Sequence, residues 1–321
     1  MNRLRLAALG GAAVLALGLA ACGDTGGTGD SGSSGDAQLS GTIRIDGSST
    51  VGPLTEAAAE AFQGENSDVR VTVGTSGTGG GFEKFCAGET DVSDASREIE
   101  DDEIAACRRE GIAYEAFQVA NDGIAVVTNT NLKVDCLTVD QLNKLWNKGS
   151  KVKSLSEIDP SFTDEKLTLY GPGTDSGTFD FFTDKINGEE GASRSDYNAT
   201  EDDNVTVQGV SGDKGGLGYF GLSYYEQNRD KLTAVEVDGG RGCVAPSTET
   251  VQDGTYTPLS RPLFIYVKSS SLRKPEVEAF VQYYLDNTGD LAEQALFVPL
   301  TQAQQDELQP KLDGLKAQAG T

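Results

Sequence analysis

The chain has 321 residues, enough for two domains of ordinary size, with 26 basic and 50 acidic residues and a formal net charge of −24. This charge argues against a nucleic-acid partner, because phosphate backbones are bound by basic surfaces. The sequence contains no histidine, which excludes a Ser-His-Asp triad, a Cys-His dyad and histidine-based metal sites.

The N-terminal residues predict a targeting segment. Two arginines precede an apolar stretch, residues 6–20, that is broken by glycines and too short for a comfortable membrane span. The stretch ends in Leu-Ala-Ala-Cys, which resembles a bacterial lipoprotein signal; residues 1–21 would then be the signal peptide and Cys22 the lipidated residue. The alternative is an ordinary secretory signal with an incidental cysteine. Residues 22–40, rich in Gly, Ser, Asp and Thr, predict a flexible tether.

The remaining chain alternates between strand and helix patterns, which predicts an α/β fold. The predicted strands are 42–46, 69–73, 92–97 (with a loop), 113–119, 123–129, 167–170, 215–219 (after a turn) and 263–268. The predicted helices are 53–63, 81–86, 100–110, 138–146 (capped by Thr138), 179–185, 222–228, 275–286 and 291–297. We expect two lobes with a ligand cleft between them. Lobe 1 is 41–118 plus 262–321, and lobe 2 is 119–261.

Four cysteines follow Cys22, and an even count in an exported chain favours two disulfides. Cys86 and Cys107 are close enough in sequence to close a local loop, and Cys136 would then pair with Cys243. Other pairings stay open. A zinc site is the rival interpretation, but the chain has no CxxC pair and no histidine.

Three runs of Gly, Ser and Thr each follow a β-rich segment and lead into a predicted helix: 47–53, 74–82 and 173–179. Helix N-termini carry unpaired N–H donors and the positive end of the helix dipole, so three of them indicate a site for a small oxyanion. The first run could instead be plain capping, and the second a flexible turn. The second run is not a phosphate-binding P-loop, because no GK[ST] follows. The third contains DSGT, as aspartic proteases do, but those need two copies and this chain has one.

Asp94 and Arg97 are candidate contacts to such an anion. Arg97 could donate charge-assisted hydrogen bonds. A carboxylate beside an anion is favourable only when the anion has a proton to donate, so Asp94 suits a protonated phosphate and disfavours fully ionised sulfate. A surface Asp–Arg ion pair is the alternative.

Together these motifs resemble the phosphate-binding lipoprotein (PstS type) of the bacterial ABC phosphate importer. The resemblance is carried by residues 47–51, 74–99, 170–182, 215–225 and 242–247. It implies a two-lobed periplasmic-binding-protein fold of type II that holds one inorganic phosphate in its cleft. It also implies an anchored extracytoplasmic monomer that hands phosphate to a membrane permease, with no enzyme activity, no cofactor and no metal.

The resemblance also assigns the phosphate contacts, which are Ser49, Thr50 and the N–H of Val51, Ser76 (or Thr78), Asp94 as proton acceptor, Arg97, and Ser176, Gly177 and Thr178. Some family members carry an arginine four residues before the serine that corresponds to Ser176. Pro172 stands there in this chain, so Arg97 is its expected replacement. The alternatives are a receptor for another tetrahedral oxyanion such as arsenate, a secreted phosphatase, or a sensor or adhesin that no longer serves transport.

Overall fold

The structure, a computed structural model, describes residues 38–320. The predicted signal peptide, the lipidation of Cys22 and most of the predicted tether lie outside the described residues. Among residues 38–320, no helix combines the length and the apolar character that a bilayer span requires.

Strands and helices alternate along the chain, which confirms the predicted α/β class. The strands are β1 (Gly41–Gly47), β2 (Val69–Gly74), β3 (Val92–Ala95), β4 (Tyr114–Asn129), β5 (Cys136–Thr138), β6 (Thr168–Gly171), β7 (Asn198–Ala199), β8 (Gly216–Gly221), β9 (Leu232–Ala234), β10 (Glu236–Asp238), β11 (Cys243–Val244) and β12 (Ser260–Lys268). The helices are α1 (Gly52–Glu65), α2 (Gly77–Cys86), α3 (Asp101–Arg109), α4 (Val139–Trp146), α5 (Gly177–Phe182), α6 (Asp203–Gly212), α7 (Leu222–Gln227), α8 (Thr248–Gln252), α9 (Pro275–Asp286), α10 (Thr288–Gln294), α11 (Gln302–Asp306) and α12 (Leu308–Ala319).

Helices α6, α8, α11 and α12 were not predicted, and the helix expected at 291–297 is α10, Thr288–Gln294. Two further differences concern the elements around the expected site. The strands expected at 113–119 and 123–129 form one continuous strand, β4, in which residues 114–123 pair with β12 and residues 124–129 pair with β8 and β9. Helix α2 begins at Gly77 and therefore includes most of the second glycine run. Close packing explains one of these glycines: a Cβ at Gly81 would lie 2.5 Å from the Cα of Gly47, so only glycine at this position lets α2 approach β1 this closely.

The main sheet has the strand order β2-β1-β3-β12-β4-β8-β6-β7, with β9 also paired to β4. A smaller sheet has the order β11-β10-β5. Strands β1, β2 and β3 are parallel, whereas β12 runs antiparallel to both β3 and β4. The parallel register sets Asp46 beside Gly74 and Gly47 beside Asp94. The first two runs, which follow β1 and β2, and Asp94 near the end of β3 therefore meet at one edge of the sheet.

The apolar interior contains two large clusters. One includes Ile124 to Val127 of β4, Trp146 and Tyr256. The other includes Ile43, Phe117 and Phe280. Strand β4 contributes to both clusters. The segment formed by β12 and the residue before it does so too, with Leu259 in the first cluster and Leu263 in the second. Both chain segments therefore run from one cluster to the other, and they do so side by side around the pair Asp122–Arg261.

The disulfides Cys86–Cys107 and Cys136–Cys243 are both formed, as predicted. The first joins α2 to α3, and the second joins β5 to β11. The Thr138 cap is also confirmed, since its hydroxyl accepts a hydrogen bond of 3.2 Å from the N–H of Gln141.

Candidate functional site

A cavity of about 760 Å³ brings the three Gly/Ser/Thr runs together. The first run contributes residues 48–50, the second residues 76–80 and the third Gly177. The remaining lining residues are Ser96, Arg97, Glu98, Glu100, Asp180, Phe181, Asp184, Lys185, Glu190, Ser260, Arg261 and Pro262. Five of the predicted contacts line this cavity: Ser49, Thr50, Ser76, Arg97 and Gly177. Val51, Asp94, Ser176 and Thr178 are not among the lining residues.

The first run does not cap its helix through a side chain. Helix α1 has Val51 at its N-cap and Pro in its first turn, and the N-cap residue makes no side-chain capping bond. The hydroxyl of Ser48 accepts a hydrogen bond from the N–H of Thr50 at 3.2 Å. Simple capping therefore does not explain Ser49 and Thr50, whose segment forms part of the cavity wall.

The second run is held in place by one carboxylate, that of Asp46, and by one hydroxyl, that of Ser96. Ser76 donates to Asp46 through both its N–H and its hydroxyl, and Lys84 forms an ion pair with the same carboxylate at 2.6 Å. The hydroxyls of Thr78 and Ser96 lie 3.2 Å apart. Both Ser76 and Thr78 line the cavity, so the alternative between them stays open.

The third run comes into contact with the first. The hydroxyl of Ser176 caps α5 by accepting a hydrogen bond of 3.2 Å from the N–H of Thr178. A Cβ at Gly177 would overlap the hydroxyl oxygen of Thr50. Glycine at position 177 therefore allows two chain segments more than a hundred residues apart to meet at the cavity.

Asp94 is an enclosed carboxyl group. Its side chain is 0 % exposed, and its Oδ1 accepts a hydrogen bond of 3.0 Å from the hydroxyl of Thr55. Its Oδ2 has no hydrogen-bond partner among residues 38–320. Burial, with smaller contributions from the negative charges of Asp46 and Glu56, raises the pKa of Asp94 to about 8. Strongly shifted ionisable groups of this kind are concentrated at functional sites.

The guanidinium of Arg97 already has a carboxylate partner. Its two terminal nitrogens each donate to Glu103 at 2.8 Å, and Nε lies 3.3 Å from Glu100. The hydrogen bonds to Glu103 are the main reason that the pKa of Arg97 is raised. Arg97 lines the cavity, but both of its terminal nitrogens already donate to Glu103 within the protein.

Arg261 is a second cavity cation, which the sequence reasoning did not assign to the site. Its Nε donates to Asp122 at 3.1 Å, its Nη2 donates to the Thr50 hydroxyl at 2.9 Å, and its guanidinium lies 3.9 Å from the centroid of the Phe181 ring. Nη2 also lies 3.4 Å from the carbonyl oxygen of Gly177. Among the described residues, none accepts a hydrogen bond from Nη1. Burial lowers the pKa of Arg261, and the charge of Asp122 opposes that effect.

In the sequence, only the position of Arg261 could have indicated that it belongs to the site. It is an arginine at the start of an apolar strand, at the point where the chain was expected to cross between lobes. Its neighbours are 139 and 211 residues away along the chain, so no local pattern connects them.

The charged residues around the cavity are mostly acidic. Glu98, Glu100, Asp180, Asp184 and Glu190 line it together with three cations. Lys185 is 2.7 Å from Asp184. Burial and the nearby charge of Glu190 raise the pKa of Asp180. An anion in this cavity would therefore be held by Arg261 and by neutral N–H and O–H donors, against an unfavourable surrounding field. No group of three or more metal-ligating side chains occurs within residues 38–320.

Comparison with known proteins agrees with this architecture. A family model described as a PBP superfamily domain matches residues 32–288. A protein named SphX from Synechococcus elongatus is 48 % identical over 257 residues, which are 79 % of this chain and 76 % of that protein. The phosphate-binding protein PstS of Staphylococcus saprophyticus is 42 % identical over 272 residues, covering 84 % of this chain and 83 % of that protein.

A solved structure extends the likeness to three dimensions. The crystal structure of a possible phosphate binding protein from Planctomyces limnophilus matches with a TM-score of 0.84 and 46 % identity, over 87 % of this chain and 99 % of that one. The predicted periplasmic-binding-protein fold is thereby confirmed. The chain belongs to the PBP superfamily, in the family that includes SphX and PstS.

Proposed function

We propose that the chain is an extracytoplasmic receptor that captures inorganic phosphate in the cavity and delivers it to an ABC permease. The observation that carries this proposal is the meeting of three Gly/Ser/Thr runs around one cavity that also contains Arg261, whose side chain is 12 % exposed. The names of the relatives support the choice of anion, since PstS of Staphylococcus saprophyticus is a phosphate-binding protein.

The proposed phosphate contacts are those predicted from the sequence, with Arg261 added: Ser49, Thr50, Val51, Ser76, Asp94, Arg97, Ser176, Gly177, Thr178 and Arg261. Hydrogen bonds to a charged group contribute roughly 1.5–3 kcal/mol each. A handful of them supports micromolar or tighter binding, which corresponds to about −8 kcal/mol. Nη1 of Arg261 adds a cationic donor that has no acceptor within the described part of the chain.

The proposal includes two lobes that close on the ligand. Lobe 1 is residues 41–118 plus 262–321, and lobe 2 is residues 119–261. The two apolar clusters and the paired passage of β4 and β12 between them support this division. Phosphate contacts from both lobes would favour a closed state. Small-angle X-ray scattering should show a smaller radius of gyration with phosphate than without it, and an unchanged radius would argue against closure.

The proposed anchor is lipid on Cys22, and the proposed partners are phosphate and a membrane permease. The proposed receptor is a monomer and has no enzymatic activity. Mass spectrometry of the membrane-extracted protein tests the anchor, because a lipidated Cys22 at the mature N-terminus has a defined mass increase. An unmodified mature chain would remove that part of the proposal.

Isothermal calorimetry of the purified protein with phosphate, sulfate and p-nitrophenyl phosphate tests the main proposal. We expect tight binding of phosphate, much weaker binding of sulfate, and no release of nitrophenol. Arsenate, which has the same shape and protonation as phosphate, is the second candidate ligand because the same donors would accept it. Absence of phosphate binding would overturn the proposal, and turnover of p-nitrophenyl phosphate would favour a phosphatase.

A further inference from the structure

The segment between α10 and α11 is a further connection between the two apolar clusters. Val298 belongs to the cluster that contains Trp146, whereas Leu300 belongs to the cluster that contains Phe280. Both residues are 4 % exposed. The chain therefore passes from one cluster to the other within residues 296–300, as it also does in β4 and β12. We call residues 296–300 the strap.

The strap pairs with β4 where β4 and β12 run between the clusters. The backbone N–H of Asn121 in β4 donates to the carbonyl oxygen of Val298 at 2.8 Å, and the N–H of Val298 donates back to Asn121 at 2.9 Å. Asn121 is also paired with Pro262 of β12, and it directly precedes Asp122. Three neighbouring chain segments therefore meet at the point where the proposed lobes would rotate.

A side chain of α8 fastens the strap. Nε2 of Gln252 donates to the carbonyl oxygen of Pro299 at 2.8 Å, and Nδ2 of Asn121 makes a longer contact of 3.5 Å to the same oxygen. Helix α8 itself packs on β4 at this level, since a Cβ at Gly123 would lie 2.6 Å from Cγ2 of Val251. The hydrogen bond from Gln252 therefore joins residues 119–261, the proposed lobe 2, to the C-terminal part of the chain.

The turn that starts the strap has an unfavourable backbone conformation. After α10, the N–H of Leu296 donates to Glu293 and the N–H of Phe297 donates to Ala292, at 3.2 and 2.8 Å. This pattern normally places glycine at the left-handed position. Leu296 occupies it here, with φ 61°, as the one non-glycine residue of positive φ among residues 38–320. Its surroundings must offset that cost. They include a crevice of about 290 Å³ that it lines together with residues of α7 and α8.

The bond from Gln252 is present in a conformation in which the proposed lobes touch at the cavity. Nη2 of Arg261 lies 2.9 Å from the hydroxyl of Thr50 and 3.4 Å from the carbonyl oxygen of Gly177. Thr50 belongs to the proposed lobe 1 and Gly177 to the proposed lobe 2. The fastened strap therefore accompanies a closed arrangement of these two segments.

We propose that Gln252 and the strap form a latch that stabilises the closed arrangement of the lobes and thereby sets how much of the phosphate-free protein is ready to hold its ligand. This inference rests on the proposed function and on its two closing lobes. A bond made in one of two conformations shifts their populations by its own free energy. The apparent affinity changes in proportion to the fraction of protein in the binding-competent conformation.

The test is Gln252→Met, which keeps an unbranched side chain of similar length and removes the N–H donor. Loss of a hydrogen bond between neutral groups changes an equilibrium constant roughly two- to tenfold. We expect calorimetry to show phosphate binding weakened by this factor, and stopped flow to show phosphate dissociation accelerated. Small-angle X-ray scattering should show a larger radius of gyration than the parent has without phosphate, and the parent value with phosphate bound.

Gln305→Met is the matched control. Nε2 of Gln305, in α11, donates to the carbonyl oxygen of Leu300 at 3.3 Å, which is the next carbonyl group of the strap. Both residues lie in the proposed lobe 1, so this bond does not join the lobes. The control should lose stability in urea unfolding, as Gln252→Met does, and keep the parent affinity and dissociation rate. If Gln252→Met fails to fold, Gln252→Glu has the same length, cannot donate while ionised, and should weaken binding in the same way.

A folded Gln252→Met protein that binds phosphate as tightly as the parent, or more tightly, would overturn the inference. So would an equal loss of affinity in Gln305→Met, because the effect would then come from general loosening of the strap. Both results are distinct from failure of the proposed function, in which the parent protein itself would not bind phosphate.

Discussion

Replacing Arg261 with Ala removes a cation from the cavity whose side chain is only 12 % exposed. The side chain is within 3.1 Å of Asp122 and 2.9 Å of the Thr50 hydroxyl, and its guanidinium stacks over the Phe181 ring at 3.9 Å. Asp122 is only 5 % exposed and would be left without its ion-pair partner. Breaking a buried pair in this way costs about 3–5 kcal/mol of stability. Loss of a charged hydrogen bond to phosphate, about 1.5–3 kcal/mol, would weaken binding roughly 10- to 150-fold.

The assay is calorimetry with phosphate on Arg261→Ala, together with urea unfolding. The double variant Arg261→Ala/Asp122→Asn should recover much of the stability, because no unpaired carboxylate remains, but it should not recover the affinity. We expect Arg97→Ala to lose less affinity than Arg261→Ala, since Arg97 already donates to Glu103. A folded Arg261→Ala protein that binds phosphate as tightly as the parent would refute the reasoning, and a larger loss for Arg97→Ala would make Arg97 the main cationic contact.

Three further predictions follow from charge and covalent structure. Burial raises the pKa of Asp94 from 3.8 to about 8, so the folded protein keeps a proton that the unfolded chain releases, and this group lowers stability as pH rises through that interval. Asp94→Asn should remove this pH dependence of stability, which urea unfolding at pH 5 and pH 9 would show. The same variant should change the ratio of the phosphate and sulfate affinities measured by calorimetry. A variant that keeps the parent pH dependence and the parent affinity ratio would contradict both expectations. Replacing Cys136 and Cys243 with Ala should lower the free energy of unfolding by about 5 kcal/mol, because the disulfide closes a loop of 107 residues. Replacing Cys86 and Cys107 should lower it by about 3 kcal/mol, because that loop has 21 residues. Equal losses of stability in denaturant titrations would contradict the loop-entropy argument. The net charge of −24 repels phosphate. The association rate measured by stopped flow should therefore increase as salt is raised and the Debye length shortens from about 30 Å to about 8 Å. A slower rate at high salt would instead indicate that positive charges steer phosphate into the cavity.

Much of the fold could be predicted because its signals are local. The apolar segments of β1, β6 and β12 and the helical spacing of α1, α4 and α9 were each recognised from short windows. The short strands β5, β7, β9, β10 and β11 were not predicted, because strands of two or three residues are defined by their partners and carry almost no pattern of their own. The start of α2 at Gly77 was also missed, since glycine weakens any helix pattern.

The amino-acid sequence by itself determined the components of this protein: the acidic charge, the absence of histidine, the three Gly/Ser/Thr runs and the cysteines of both disulfides. All of these are properties of composition or of neighbouring residues. The tertiary structure alone decided which of the components meet. Pairing of β4 with β12 places Arg261 beside Asp122, and packing of α1 against α9 places Tyr284 beside Thr55. Contacts across such separations depend on strand register and helix packing over the whole chain, so no local pattern in the sequence encodes them.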